Sequence, residues 1–184
     1  MRFEPTPLAG ACVIDLAPHG DARGTFARCF CKREFAAHGL NGDIAQANMS
    51  YSARAGTLRG LHWQHPPAAE AKLVRCISGA IWDVIVDLRT GSPTYLKSHG
   101  VALNAQNRRA LYVPEGFAHG FLTLSDATEI LYMVTAFHAP EAEDGLRYDD
   151  PALGIDWPGE ITTISEKDAA WPLIGDRDVP PGVP

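Results

Sequence analysis

Lys72-Leu-Val-Arg-Cys-Ile-Ser78, then Gly79, then Ala80-Ile-Trp-Asp-Val-Ile-Val-Asp-Leu88 is the stretch on which the fold turns. Val, Ile, Leu and an aromatic fill two short runs, Lys72–Ser78 and Ile81–Leu88, and a glycine punctuates them, the pattern of neighbouring β-strands. The same grammar continues outward. Thr90-Gly91-Ser92-Pro93 reads as a turn, followed by strands over Tyr95–Leu103 and Ala110–Val113. Pro114-Glu115-Gly116 makes another turn, and Gly120–Leu124 and Glu129–Phe137 read as further strands. Many short strands with frequent turns predict an all-β sandwich or barrel. Two short helices are predicted at its periphery. Lys32–His38 ends at Gly39, a favourable cap. Ser165-Glu166-Lys167-Asp168 opens the other, with Ser165 capping the first turn and Asp168 answering three residues later. No repeat or linker divides the chain, so residues 1–184 are read as one domain, with 174–184, rich in proline and glycine, as a loose tail.

Composition narrows the function. With 46% hydrophobic and 21% charged residues, the 184-residue chain is of ordinary globular make-up, which argues against global disorder. Asp83 and Asp87 interrupt the longest apolar stretches, so no membrane span is expected. Met1–Gly10 has no basic region followed by an apolar run, so no secretory signal is read there. A net charge of -6 argues against non-specific nucleic-acid binding, and leaves room for a small anionic ligand held by a few Arg and Lys. The four cysteines, Cys12, Cys29, Cys31 and Cys76, form no Cys-x-x-Cys pair. Cys29 and Cys31 are expected on one face of a strand, a poor disulfide geometry, so the thiols are read as free and the protein as cytoplasmic.

Four local clusters could carry chemistry: Leu58-Arg59-Gly60-Leu61-His62-Trp63-Gln64-His65, then Lys72 at a strand start, then Pro114-Glu115-Gly116-Phe117-Ala118-His119-Gly120-Phe121, and Tyr132 within a strand. Pro114-x-Gly116-x-x-His119 resembles the second motif of the cupin jelly rolls, where that His points into the barrel. Many cupins hold a metal with His and Glu. Here His62-x-x-His65 puts the two rings on opposite sides of a strand, with Glu70 as a possible third ligand, so a metal site needs a bulge. A metal-free alternative is more productive. A neutral His can take a proton next to a carbonyl, a cation can stabilise the enolate, and a Tyr hydroxyl can return a proton to the other face. His62, His119, Lys72, Arg59 and Tyr132 suit an epimerase. Taken singly, Lys72 and Arg59 read equally as solvated strand residues, Tyr132 as core and Asp168 as a capping acid. Their joint occurrence carries the argument.

Longer segments resemble one family. Thr57-Leu58-Arg59-Gly60-Leu61-His62, Lys72-Leu73-Val74-Arg75, Asp83–Arg89, Gly91-Ser92-Pro93-Thr94-Tyr95, Pro114–Phe121, Asp149-Asp150-Pro151 through Pro158, and Ser165–Asp168 are similar to the dTDP-4-dehydrorhamnose 3,5-epimerases, from about Asp21 to Leu173. The resemblance implies a metal-free, cofactor-free, homodimeric cupin jelly roll acting on a dTDP-4-keto-6-deoxyhexose. It implies His62 as general base, Asp168 as its orienting carboxylate, Tyr132 as the acid on the opposite face and Lys72 as the enolate's cation. Arg59 and His119 would bind the sugar and diphosphate region, and Gln46 and Asn48 the nucleotide. Arg23 and Phe26 would contact nucleotide or phosphate, within the chain or across the dimer. Glu143 and Lys167 match further ligand-binding positions.

Some positions depart from the family pattern. Arg28 stands where Glu is usual at a nucleotide contact, Met49 where His is common, Glu70 where Gln is common, and His138 where Tyr commonly stacks near the sugar. These leave open a relative that inverts only C3 or only C5, or acts on another nucleotide-linked keto sugar. A metal-dependent cupin using His62, His65 and His119, or a non-catalytic sugar-nucleotide binder, are the remaining readings.

Overall fold

A computed structural model describes residues 1–177. In chain order the strands are β1 (Arg2–Pro5), β2 (Cys12–Asp15), β3 (His19–Asp21), β4 (Gly24–Phe26), then helix α1 (Lys32–Ala37), β5 (Gln46–Ser52), β6 (Leu58–Gln64), β7 (Lys72–Ser78), β8 (Ala80–Asp87), β9 (Ser98–Asn104), β10 (Ala110–Val113), β11 (Phe117–Thr123), β12 (Thr128–Val134), β13 (Glu143–Gly145) and helix α2 (Glu166–Ala169). A six-stranded sheet runs β1-β2-β10-β7-β12-β5, a five-stranded sheet runs β13-β6-β11-β8-β9, and β3-β4 forms a separate hairpin. Every strand pairing is antiparallel. The two large sheets face each other as a cupin-type jelly roll.

Strand β8 shows why its sequence is almost continuously apolar. Side chains alternate along a strand. Ile81 and Ile85 point between the sheets, onto Val74, Leu111 and Ile130. Val84 and Val86 point the other way, where Leu146, Leu153 and Trp157 cover them. With both faces covered, apolar residues fill both, and the two carboxylates among them, Asp83 and Asp87, each need a partner. The outer face of the six-stranded sheet is closed by α1, whose fully buried Phe35 packs edge-on to Tyr112 at 5.9 Å.

Asp87 ends β8 as a buried anchor. Its carboxylate accepts hydrogen bonds from Arg89 Nη2 at 2.8 Å, Ser92 Oγ at 2.6 Å and Thr94 Oγ1 at 2.7 Å. Its carbonyl accepts from Leu96 N. This knot holds residues 89–97 as turns, so β9 begins at Ser98 and not at Tyr95. Burial pushes the carboxyl up, but the donors outweigh it and hold its pKa at about 2, against an ordinary 3.8. A depressed pKa contributes stability above the ordinary value and loses it as pH falls through the folded one. The shift corresponds to about 2 kcal/mol. Wild type should therefore lead Asp87→Asn in thermal midpoint at pH 7, and the gap should narrow between about pH 4 and pH 2. A constant gap across that range would remove the carboxylate's charge from the account.

Three further sequence expectations change. Cys29 and Cys31 are not on a strand: they precede α1, and Cys31 is its N-cap. All four cysteines are free thiols, and burial pushes those of Cys12 and Cys76 up to about 11. Ser165 caps α2 by accepting from Asp168 N at 3.0 Å, but the Asp168 carboxylate does not return the bond and is used elsewhere. Residues 174–177 are docked: Ile174 N donates to Asp150 Oδ2 at 2.6 Å, and Arg177 grips Asp144. The rest of the expected tail, 178–184, lies outside the described residues. Among the described residues, no helix is long and apolar enough to cross a membrane.

Candidate active site

Two cavities of about 550 and 420 Å³ open between the sheets, and His62, Lys72 and Tyr132 line both. They are two lobes of one site with those three side chains at the junction. His62 comes from β6 in the five-stranded sheet. Lys72 on β7 and Tyr132 on β12 come from the six-stranded sheet. Tyr132 pairs with Val74 and Val134 with Lys72, so alternation puts Lys72 and Tyr132 on the same inward face.

The His62 ring is fixed from behind. Its Nε2 donates to Asp168 Oδ1 at 2.7 Å, and Asp168 Oδ2 accepts from Gly60 N at 3.1 Å. Asp168 is 4% exposed. Burial raises its pKa, but the His62 bond and charge, the Gly60 amide and Ser165 outweigh this and hold the carboxyl below the usual range. A carboxylate so held keeps the imidazole in one tautomer and one orientation. Gly60 is required here. Its φ is +113°, and a Cβ would stand 2.6 Å from Gly120 Cα on β11. Trp171 closes the side of the dyad. Its ring stands 6.4 Å from that of His62, edge-on, and lies against Gly145, where a Cβ would come within 2.1 Å of it.

A second imidazole–carboxylate pair lies beside the first. His119 is the cross-strand partner of His62 and faces the larger lobe. Its Nε2 donates at 2.7 Å to Asp83 Oδ1 on β8. Asp83 is fully buried, and its Oδ2 has no hydrogen-bond partner. Sequence reasoning registers Asp83 as a break in an apolar run and as part of a family segment, with no role of its own. A carboxylate in the middle of Ile-Trp-Asp-Val-Ile-Val is itself the signal of a buried acid serving a partner.

Lys72 Nζ is 3.1 Å from Glu70 Oε1, and both side chains are only 11% exposed. Glu70, read as a possible third metal ligand, is thus committed to the lysine. Burial pushes the Tyr132 phenol up, and the Glu70 charge adds to this while Arg59 opposes it. The phenol therefore keeps its proton at neutral pH. Arg59 crosses from β6 to β5, donating from Nη2 to Tyr51 O at 3.1 Å and from Nε to Ser52 Oγ at 3.3 Å. Lys167, in the larger lobe, reaches Glu143 of the smaller one at 2.6 Å and ties the lobes together.

The smaller lobe is amide-rich. Gln46 and Asn48 alternate inward on β5, opposite the exposed Met49 and Tyr51. Gln46 Oε1 accepts from His138 N at 2.7 Å. Gln64, which sequence reasoning missed, accepts from Ala139 N at 2.6 Å and donates to Ala68 O and Phe137 O, shaping the same wall. Arg23, Phe26 and Arg28 line neither lobe. Arg23 pairs with Asp21 at 2.6 Å, Phe26 is 73% exposed, and Arg28 pairs with Glu34 at 3.5 Å. His65 turns away from His62 to Asp144 at 3.1 Å. Among the described residues, no group of three His, Cys, Asp or Glu is arranged to hold a metal ion.

The family model of dTDP-4-dehydrorhamnose 3,5-epimerase matches residues 5–176. A protein of that name from Sinorhizobium fredii is 46% identical over 180 residues, covering 97% of this chain and 92% of that one. The crystal structure of dTDP-4-dehydrorhamnose 3,5-epimerase from Elizabethkingia anophelis superposes with a TM-score of 0.93 at 40% identity, over 97% of this chain and 99% of the other. A Legionella pneumophila dTDP-6-deoxy-D-glucose-3,5-epimerase, solved in complex with dTDP-4-keto-L-rhamnose, gives 0.89 at 39% identity, over 96% and 94%. A match across almost the whole length, on a jelly roll whose sheets converge on His62, Lys72 and Tyr132, places this chain in the dTDP-4-dehydrorhamnose 3,5-epimerase family of isomerases.

Proposed function

We propose that the protein inverts C3 and C5 of a dTDP-4-keto-6-deoxyhexose by proton removal on one face of the ring and proton return on the other. The observation that carries this is the placement of His62 and Tyr132 on opposing sheets about one cavity, with Lys72 beside Tyr132. The 4-keto group acidifies the hydrogens on both adjacent carbons. Neutral His62 takes one, and the C–H electron pair becomes the enolate. Asp168 stabilises the imidazolium that forms, and the Lys72 ammonium stabilises the negative O4. Tyr132 delivers its hydroxyl proton to the opposite face, which completes the inversion. Solvent restores the phenol's proton and removes the one on His62. These groups supply base, electrophile and acid among themselves, so the reading calls for no metal or cofactor.

The sugar ring is assigned to the junction. Arg59 and His119 take the sugar and diphosphate region, with Lys167 and Glu143 at the ligand's edge. Gln46, Asn48 and His138 take the nucleoside. Arg23, Phe26 and Arg28 reach the ligand only if a second copy brings them there. That supports a homodimer, as do the exposed apolar side chains of Met49 and Tyr51 on the edge strand β5. Free buried thiols suit a reducing, cytoplasmic setting.

The test is incubation with chelator and dTDP-4-keto-6-deoxyglucose in deuterated water, followed by NMR at C3 and C5. Deuterium at both carbons is expected. Deuterium at one carbon would make the protein a single-centre epimerase, and none at either would overturn the assignment.

A further inference from the structure

We propose that Glu70 is a positioning residue of this reaction: its carboxylate holds the Lys72 ammonium at the junction of the two lobes and sets the charge that Tyr132 faces. The inference rests on the epimerase reading and deepens it. Glu70 stands two residues before Lys72, so an extended chain turns both toward the cavity. The two side chains meet at 3.1 Å and are nearly shut off from water. Such a pair is a poor source of stability, because withdrawing both charges from water costs about what their attraction returns. What it does secure is geometry. A lysine is a flexible stem with three donors. Paired with Glu70, the ammonium has a fixed place and keeps donors free for an oxyanion.

The same carboxylate acts on the acid. Tyr132 faces Arg59 and His62 from β6, His119 from β11, and Lys72 and Glu70 from β7 and its approach. From β5 it meets the neutral Gln46, Asn48 and Ser50, α2 brings Lys167 and Asp168 to the larger lobe, and His138 and Glu143 complete the smaller one. Glu70 is the carboxylate whose charge raises the phenol's pKa. Ionising Tyr132 would set a second negative charge beside it, so Glu70 keeps the hydroxyl protonated and able to donate.

Glu70→Gln removes the charge and keeps the shape. In this variant kcat should fall by about tenfold with KM within about twofold, since an interaction made mainly in the transition state is lost. The alkaline limb of the kcat profile should move to lower pH by roughly half a unit to one unit, because a phenol without a neighbouring anion ionises sooner. Glu70→Asp keeps the charge but draws it back by one methylene. It should leave the limb in place while still lowering kcat, and it carries the test if Glu70→Gln fails to fold. A second readout needs no substrate: the titration midpoint of Tyr132, followed by NMR on ring-labelled tyrosine, should fall in Glu70→Gln. If that midpoint moves while wild type incorporates no deuterium, the epimerase reading fails and the charge coupling stands. If wild type incorporates deuterium while Glu70→Gln keeps the wild-type kcat, limb and midpoint, the Glu70 proposal is overturned.

Discussion

His62→Ala should reduce deuterium incorporation at both carbons by roughly 10²–10⁴-fold, the usual worth of a positioned general base. The loss should be the same at C3 and C5, because a single imidazole serves both. The fold should survive. His62 sits on a cavity wall with its side chain 28% exposed, and the hydrophobic clusters lie on either side of it. Asp168 loses its closest partner but keeps the Gly60 amide at 3.1 Å, so a cost of about 1–3 kcal/mol is expected in the melt. Circular dichroism and the thermal midpoint check the fold, and NMR in deuterated water checks the exchange. Exchange near the wild-type rate in a folded His62→Ala would assign the base elsewhere, and His119 on its own carboxylate would be the next residue to replace.

Tyr132→Phe should separate two events that wild type couples. The base, the dyad and Lys72 remain, so hydrogen on the His62 face should still wash out into solvent. Proton delivery from the other face should drop by roughly 10²–10³-fold, and net inversion with it. Deuterated substrate of unchanged configuration should therefore accumulate. Phe fills the space of Tyr beside Val74 and Ile130, so stability should barely change. Following inverted product and retained, deuterated substrate in one NMR sample gives the ratio directly. Equal losses in washout and inversion would argue against Tyr132 as the opposite-face acid.

The parts of the fold that could be read from sequence are those whose own residues dictate them. The runs from Lys72 to Leu88 are strands because nothing else accommodates so many branched apolar residues between glycine and turn signals. Strands β1 to β5 carry no such signal: they are three to seven residues long, β1, β3 and β4 are largely exposed, and β2 and β5 are fixed by pairing with the distant β10 and β12. The start of β9 is decided by the Asp87 carboxylate seven residues away from Thr94, which no local pattern announces. The site divides the same way. His62, Lys72, His119, Tyr132 and Asp168 sit in recognisable text, and the fold gathers them around the two lobes. The Asp83 pairing with His119 exists only through a contact across strands, and the Glu70 pairing with Lys72 needs the extended chain that turns both side chains into the cavity. Arg23, Phe26 and Arg28 lie apart from the lobes, on and just after the separate β3–β4 hairpin.

The imidazole and the carboxylate that orients it are 106 residues apart in the chain. At about 5–20 residues per second, a ribosome emits His62 some ~5–20 s before Asp168. The sheets can pair in that interval, for the last strand, β13, ends at Gly145. What they form is a barrel with its cavities and an imidazole not yet oriented. The short helix carrying Asp168 then docks, with Thr163 bridging Thr57 and Leu58 N donating to Thr163 O at 2.8 Å. A product truncated between Trp157 and Ser165 would keep the residues that cover β8 and would lack the group that orients its base. Turnover in this protein thus requires a chain that extends at least through Asp168, and a product that stops short of it lacks the oriented base.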